Sequence, residues 1–140
     1  MSTTSHDLFS NTLQETHLWL KEVLEELGWE DESKAYLALK ATLHALRDRL
    51  TVDEATHLGA RLPMLVRGFY YEGWSPTGKP LKERHKAAFL SQVQECCRMG
   101  ELDVEPIVRG VFTVLARHVT AGDIDAVKQM LPPEIRELWP

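Results

Sequence analysis

The residues best suited to chemistry are few and poorly grouped. Glu54-Ala-Thr-His57 sets a carboxylate and an imidazole three residues apart, the spacing by which ferritin-like sites aim both groups at one metal pair. Such a centre needs a second copy and further glutamates. The second half of the chain offers Asp123 and Ala126 at the corresponding places, so no metal is expected. The histidines, His6, His17, His44, His57, His85 and His118, include no His-x-x-x-His pair, and the cysteines make no Cys-x-x-Cys. A haem site needs a histidine facing a sizeable apolar pocket, whereas His44 falls on a charged arc and His118 at a helix end. Cys96 and Cys97 are neighbours, a spacing that an α-helix cannot bridge without strain. They read as reduced thiols, one a small core residue and the other half-exposed. The glycines form neither Gly-x-Gly-x-x-Gly nor a Walker loop, which removes the phosphate-cradle signatures. No catalytic residue and no cofactor are expected.

Two stretches suit recognition better than catalysis. Arg67-Gly-Phe-Tyr-Tyr-Glu-Gly-Trp74 crowds aromatics and an arginine, the types enriched at binding hot spots, onto a short helix that can bury only some of them. Lys79-Pro-Leu-Lys-Glu-Arg-His-Lys86 is a basic cluster ahead of a helix. Arg67, Tyr71, Trp74, Lys82, Arg84 and His85 form the expected interaction surface. Packing and solvation are the plainer roles for both stretches.

The elements that carry these residues are helical throughout. Phe9, Leu13, Leu20, Val23, Leu24 and Leu27, with Trp19 beside them, mark one face of a helix from about Leu8 that Gly28 ends. From Glu32 to Leu50 a wider stripe of Tyr36, Leu39, Leu43, Leu46 and Leu50 predicts a helix packed on two sides, with Lys40, His44, Arg47 and Asp48 on an arc left wet. Thr51-Val-Asp-Glu54 has the form of a capping box opening a third helix. That helix should end near Leu62, since Pro63 suits the first turn of the next one, Met64 to about Tyr71. Glu72 to Pro80, with two glycines and two prolines, reads as a surface loop. Periodicity returns at Ala88, Phe89, Val93, Cys96 and Cys97 and stops at Gly100.

The second half then copies the first. At an offset of 69 residues (63 to 132), Leu62-Pro63 meets Leu131-Pro132, Leu43 meets Phe112, Thr51 meets Thr120 and Arg67 meets Arg136; at 70 (19 to 89), Trp19 meets Phe89 and Val23 meets Val93. The fold expected is an all-α, compact helical bundle made of two degenerate repeats of a helix, helix, short helix, proline, short helix unit. Residues 1–140 form one domain, with repeat one at about 8–74, the loop at about 72–80 and repeat two at about 81–140. Two copies are too few for a solenoid, so the halves should pack face to face.

Tyr36-Leu-Ala-Leu-Lys-Ala-Thr-Leu-His-Ala-Leu-Arg-Asp-Arg-Leu50, Leu62-Pro-Met-Leu-Val-Arg-Gly-Phe-Tyr-Tyr-Glu-Gly-Trp74, Val111-Phe-Thr-Val-Leu-Ala-Arg-His118 and the ending Leu131-Pro-Pro-Glu-Ile-Arg-Glu-Leu-Trp-Pro140 resemble the prokaryotic domain-of-unknown-function 2267 family over nearly the whole chain. The resemblance implies a small duplicated helical domain and carries over no activity, cofactor or catalytic residue.

A chain of 140 residues with formal charge −5 can bury an ordinary core and lacks the basic footprint that nucleic acid requires. It has no secretory leader and no apolar run of membrane length, so the expected setting is cytoplasmic, without nucleic acid or membrane as partner. The expected function is that of a non-catalytic helical module acting through protein–protein interaction or self-association. The alternative is a small-molecule or cofactor binder, extending to an enzyme, with its site between the two repeats.

Overall fold

Helix starts and stops are written in the caps. The computed structural model describes residues 2–98, 100 and 103–140, with the backbone alone for 2–6, so the side chain of His6 lies outside the described residues. Among them are eight helices and no strand: α1 (Ser2–Leu27), α2 (Glu32–Arg47), α3 (Val52–Gly59), α4 (Met64–Tyr71), α5 (Lys86–Cys97), α6 (Glu105–His118), α7 (Ala121–Met130) and α8 (Pro133–Arg136). Gly28 ends α1 at φ +68°, a left-handed conformation that glycine adopts without a side-chain penalty. Thr51 and Thr120 each accept a hydrogen bond from the amide three residues on, Glu54 and Asp123, and so open α3 and α7 alike. Pro63 and Pro132 stand immediately before α4 and α8.

Three boundaries differ from the sequence reading. Helix α1 begins well before Leu8, because Ser2 to Asp7 contains no breaker. Helix α2 stops at Arg47 rather than Leu50, where the chain tightens and Leu50 accordingly takes its amide bond to the Arg47 carbonyl. Helix α3 stops at Gly59, and the turn to Pro63 is closed by Arg67, whose Nε and Nη2 donate to the carbonyls of Gly59 and Leu62 at 3.0 and 2.9 Å.

Packing is reciprocal between the two halves of the chain. Helix α1 lies along α6, α2 lies along α5, and α2 and α6 meet at the centre. Leu39, Leu43 and Leu46 of α2 and Val108, Val111, Phe112 and Leu115 of α6 belong to one continuous core in which all are fully buried. The α1–α6 approach needs Gly110, since a Cβ there would stand 2.9 Å from the Leu27 side chain. Cys97 is in the core, and Cys96 is exposed rather than half-exposed. Burial raises the Cys97 thiol to about 11, which keeps it protonated at neutral pH.

The largest departure concerns α2. The arc expected to be wet is not: from Ala35 to Leu50 no residue is exposed. Arg47 is only 5% exposed and donates through Nη1 to the carbonyls of Tyr70 and Glu72. His44 Nε2 lies 2.6 Å from the carbonyl of Phe69. These bonds satisfy carbonyls at the end of α4 that have no partner within that helix. A helical wheel shows which side of α2 is apolar; it does not show that a short helix will lie across the other side.

Replacing Arg47 with leucine leaves the Tyr70 and Glu72 carbonyls without their donor. The expected cost is about 3 kcal/mol in urea unfolding, given that each buried acceptor left unpaired costs ~1–3 kcal/mol; a loss below about 0.5 kcal/mol would show that water replaces the guanidinium freely.

Candidate functional site

The aromatic segment is held by the body beneath it. Tyr70 is fully buried and donates its hydroxyl to the Ala55 carbonyl at 2.6 Å. Its own ionisation is pushed far up by burial. Phe69 meets Tyr36 edge-on at 5.2 Å between ring centres. Tyr71 lies over Gly59 so closely that a Cβ there would meet its hydroxyl at 2.3 Å, and its ring contacts those of Tyr70 and Trp74. Tyr71 and Trp74 are both half-buried and packed against the core. They tie the start of the 72–85 connection to α3.

The remaining expected surface residues divide between two grooves. Arg67 lines a groove of about 490 Å³ with Glu15, Leu18, Trp19, Arg61, Met64 and His118. Lys82 and Arg84 line another, of about 610 Å³, with Arg49, Glu83, Met130, Leu131 and Arg136 among its walls. His85 faces neither; its Nδ1 lies 3.0 Å from Glu134. Lys86 is also engaged, with Glu137 at 2.9 Å and Glu105 at 3.3 Å, which raises its pKa. His85 and Lys86 thus anchor the start of α5 to α6 and α8, whereas Lys79, Lys82 and Arg84 make no ion pair among the described residues.

Sequence reasoning missed Arg49, which anchors the second groove. It is 3% exposed and sits with its guanidinium 5.0 Å from the centre of the Phe89 ring. Nη1 donates to the Ala45 carbonyl at 3.0 Å and to Gln92 Oε1 at 2.6 Å, and Nη2 to Glu83 Oε2 at 3.0 Å. Gln92 in turn donates to Asp48 Oδ2 at 3.0 Å, and the amide of Leu81 to the Asp48 carbonyl at 2.8 Å. Burial lowers the Arg49 pKa, with Glu83 and Asp48 opposing; guanidinium nevertheless remains charged at neutral pH. No signal in the sequence separates Arg49 from Arg47 or Arg61.

One wall of the first groove holds His118, stacked on Trp19 at 4.5 Å and paired with Glu22. His57, the other half of the Glu54-x-x-His57 spacing, lies 3.1 Å from Asp123, which also pairs with Arg61 at 2.9 Å. Among the described residues no three His, Cys, Asp or Glu side chains converge as a metal's ligands would. None of the helices described is long and apolar enough to cross a membrane.

The described residues form an all-helical domain with a filled centre and open grooves at its corners, a class of fold that hosts many unrelated roles. The chain belongs to the DUF2267 family, described as an uncharacterized conserved protein, whose model matches residues 16–138. No curated protein matches it.

Two measurements follow from these contacts. Truncating Tyr71 and Trp74 together to alanine is expected to lower the unfolding free energy by about 3 kcal/mol, since half-buried aromatics still contribute most of their packing; an unchanged denaturant midpoint would mean that the rings do not clamp the loop. Burial, reinforced by Arg47 and Lys40 and opposed by the Phe69 carbonyl and Asp48, lowers the His44 pKa. The unfolded chain therefore takes up a proton near pH ~6.5 that the folded chain refuses, and stability falls as pH drops below that value. In thermal melts between about pH 6.5 and 5.5, His44→Gln is expected to show a shallower loss than the wild type, and parallel curves would remove His44 from the linkage.

Proposed function

We propose that the protein is a non-catalytic helical module that works by self-association through the first half of α1. The observation that carries this is a stripe that outruns its cover. Trp19, Leu20 and Val23 face the core at 3%, 5% and 0% exposure. At 100° per residue Leu8, Phe9 and Leu13 continue the same face toward the N-terminus, yet they are 56%, 62% and 50% exposed. Residues 2–15 extend roughly 21 Å at 1.5 Å per residue, and at Leu8, Phe9 and Leu13 this face is left largely uncovered among the described residues.

The surface is suited to a second copy of itself. The overhang carries Asp7 and Glu15, and Glu15 also lines the adjoining groove, where Arg67 stands beside exposed Met64 and Leu18 and Arg61 is paired with Asp123. A two-fold contact places each surface against its own duplicate, so the uncovered apolar stripe of one chain covers that of the other in a pair. Each large apolar side chain taken fully out of water contributes about 1.5–3 kcal/mol.

Internal duplication forms part of this reading. Supporting it, Arg136 donates to the carbonyls of Lys128 and Leu131 at 3.0 and 2.9 Å, in the same manner that Arg67 serves Gly59 and Leu62. The threonine caps, the prolines and the exchanged packing of α1 on α6 and α2 on α5 follow the same correspondence. Lys86, the first residue of α5, then pairs with Thr16, so the overhang lies outside the duplicated unit and also outside the family match. The alternative, a small molecule seated between the halves, has less to rest on, because the side chains that meet there are fully buried against one another.

Sedimentation equilibrium over roughly 1–100 µM tests the proposal, a range that brackets micromolar association. The wild type is expected to dimerise. Phe9→Asp with Leu13→Asp is expected to be monomeric with a thermal midpoint within about 2 °C of the wild type, since both positions are exposed. A wild type that stays monomeric at the highest concentration overturns self-association. A different protein retained in native mass spectrometry from the host, and lost in the double variant, would assign the arm to that partner instead.

A further inference from the structure

We propose that the groove between the Pro80–Arg84 segment and the α7–α8 corner binds a small organic phosphate, with Arg49 as the fixed cation for its phosphoryl group. This is independent of self-association, which uses the opposite groove.

Arg49 is arranged as an anion-binding side chain before any anion arrives. A buried guanidinium is tolerated only when paired and hydrogen-bonded. One of its nitrogens, Nη1, is locked by the Ala45 carbonyl and by Gln92, and Gln92 is itself locked by Asp48. Nε is buried without a hydrogen-bond partner. The single ion pair it makes among the described residues is with Glu83, a carboxylate that is 50% exposed on the loop rather than part of the body. Glu83 therefore occupies the place of an external oxyanion, and a phosphate with two charges and more acceptor oxygens competes for the guanidinium on better terms.

The surroundings match that ligand. Lys82, Arg84 and Arg136 line the same groove, giving it four cations against Glu83 in a chain whose formal charge is −5. Arg136 spends Nε and Nη2 on the carbonyls of Lys128 and Leu131, and Nη1 has no protein partner among the described residues. Beside the cations stand Leu131, Pro132, Pro133 and the 46% exposed Met130, an apolar wall suited to the organic part of a phosphate monoester. The basic character is not a consequence of the shared frame. In the corresponding groove His118 replaces Arg49 and is held by Glu22, Arg61 is held by Asp123, and Glu15 adds a negative charge.

The test is an amide-resolved NMR titration of the full chain at constant ionic strength with phenyl phosphate, inorganic phosphate and phenol. Phenyl phosphate is expected to give saturable shifts at the amides of Glu83, Gln92 and Leu131, with an affinity about tenfold above that of inorganic phosphate. Phenol is expected to give none. Lys82→Ala with Arg84→Ala, both at exposed positions, should weaken phenyl phosphate about tenfold, and Glu83→Gln, which removes the competing carboxylate, should strengthen it several-fold. Shifts that never saturate, or saturate identically in both variants, overturn the site. Equal binding of inorganic and phenyl phosphate overturns the organic ligand, and binding of phenol overturns the anion. Weaker binding by Glu83→Gln overturns the role of Glu83 as stand-in.

Discussion

Beyond its first turn helix α2 has no exposed residue, and the rest of the molecule is arranged around that constraint. A helix covered on all sides must find internal partners for whatever polar side chains it carries, because a buried group left unpaired costs more than its bond returns. His44 and Arg47 find theirs at the end of α4, whose last carbonyls lack donors of their own. Asp48 and Arg49 find theirs in Gln92 of α5 and in the segment that leads to it. One turn of helix and the two residues after it thus set where α4 ends, how the 72–85 connection runs and how α5 enters. The polar contacts of α2 are few, specific and directional, whereas its leucines would accept several neighbouring arrangements.

The exchange of partners between the halves explains how so short a chain closes its core. Each half presents two long helices, and each long helix has its most extensive single neighbour in the other half. Such an arrangement needs no third unit to cap an exposed end, which a linear stack would require. In the duplication we propose, the two halves share their caps, their proline corners and the arginine that closes each corner. They part company in two places, the overhang of α1 and the loop before α5, and both proposed surfaces lie there. A shared frame supplies stability twice over and leaves the unmatched segments free to differ in charge and shape.

Legibility followed the range of the forces involved. Thr51, Pro63 and Gly28 act on their own turn, so the starts of α3 and α4 and the end of α1 could be read directly. The arc of Lys40, His44, Arg47 and Asp48 was misread as wet, because its cover comes from α4 and the following loop, some 25 residues away in the chain. The residues of the expected surface are divided in space. Arg67 went to one groove, Lys82 and Arg84 to the other, and Tyr71 and Trp74 were drawn onto Gly59 and the core. The exposed stripe of Leu8, Phe9 and Leu13 was visible as part of a helix face, but periodicity does not tell a covered face from an uncovered one.

The sequence by itself determined that this chain is helical, where most of its helices begin, which residues make the core stripes, and that it belongs with the DUF2267 proteins. Those properties depend on local backbone preference and on periodicity, both of which are complete within a few turns of chain. Only the tertiary structure decided that α2 is covered on every side beyond its first turn, that Arg49 lies beneath a basic groove, and that the apolar face of α1 continues past its cover. These depend on contacts between residues tens of positions apart, whose geometry is fixed by how the helices pack and by no pattern along the chain.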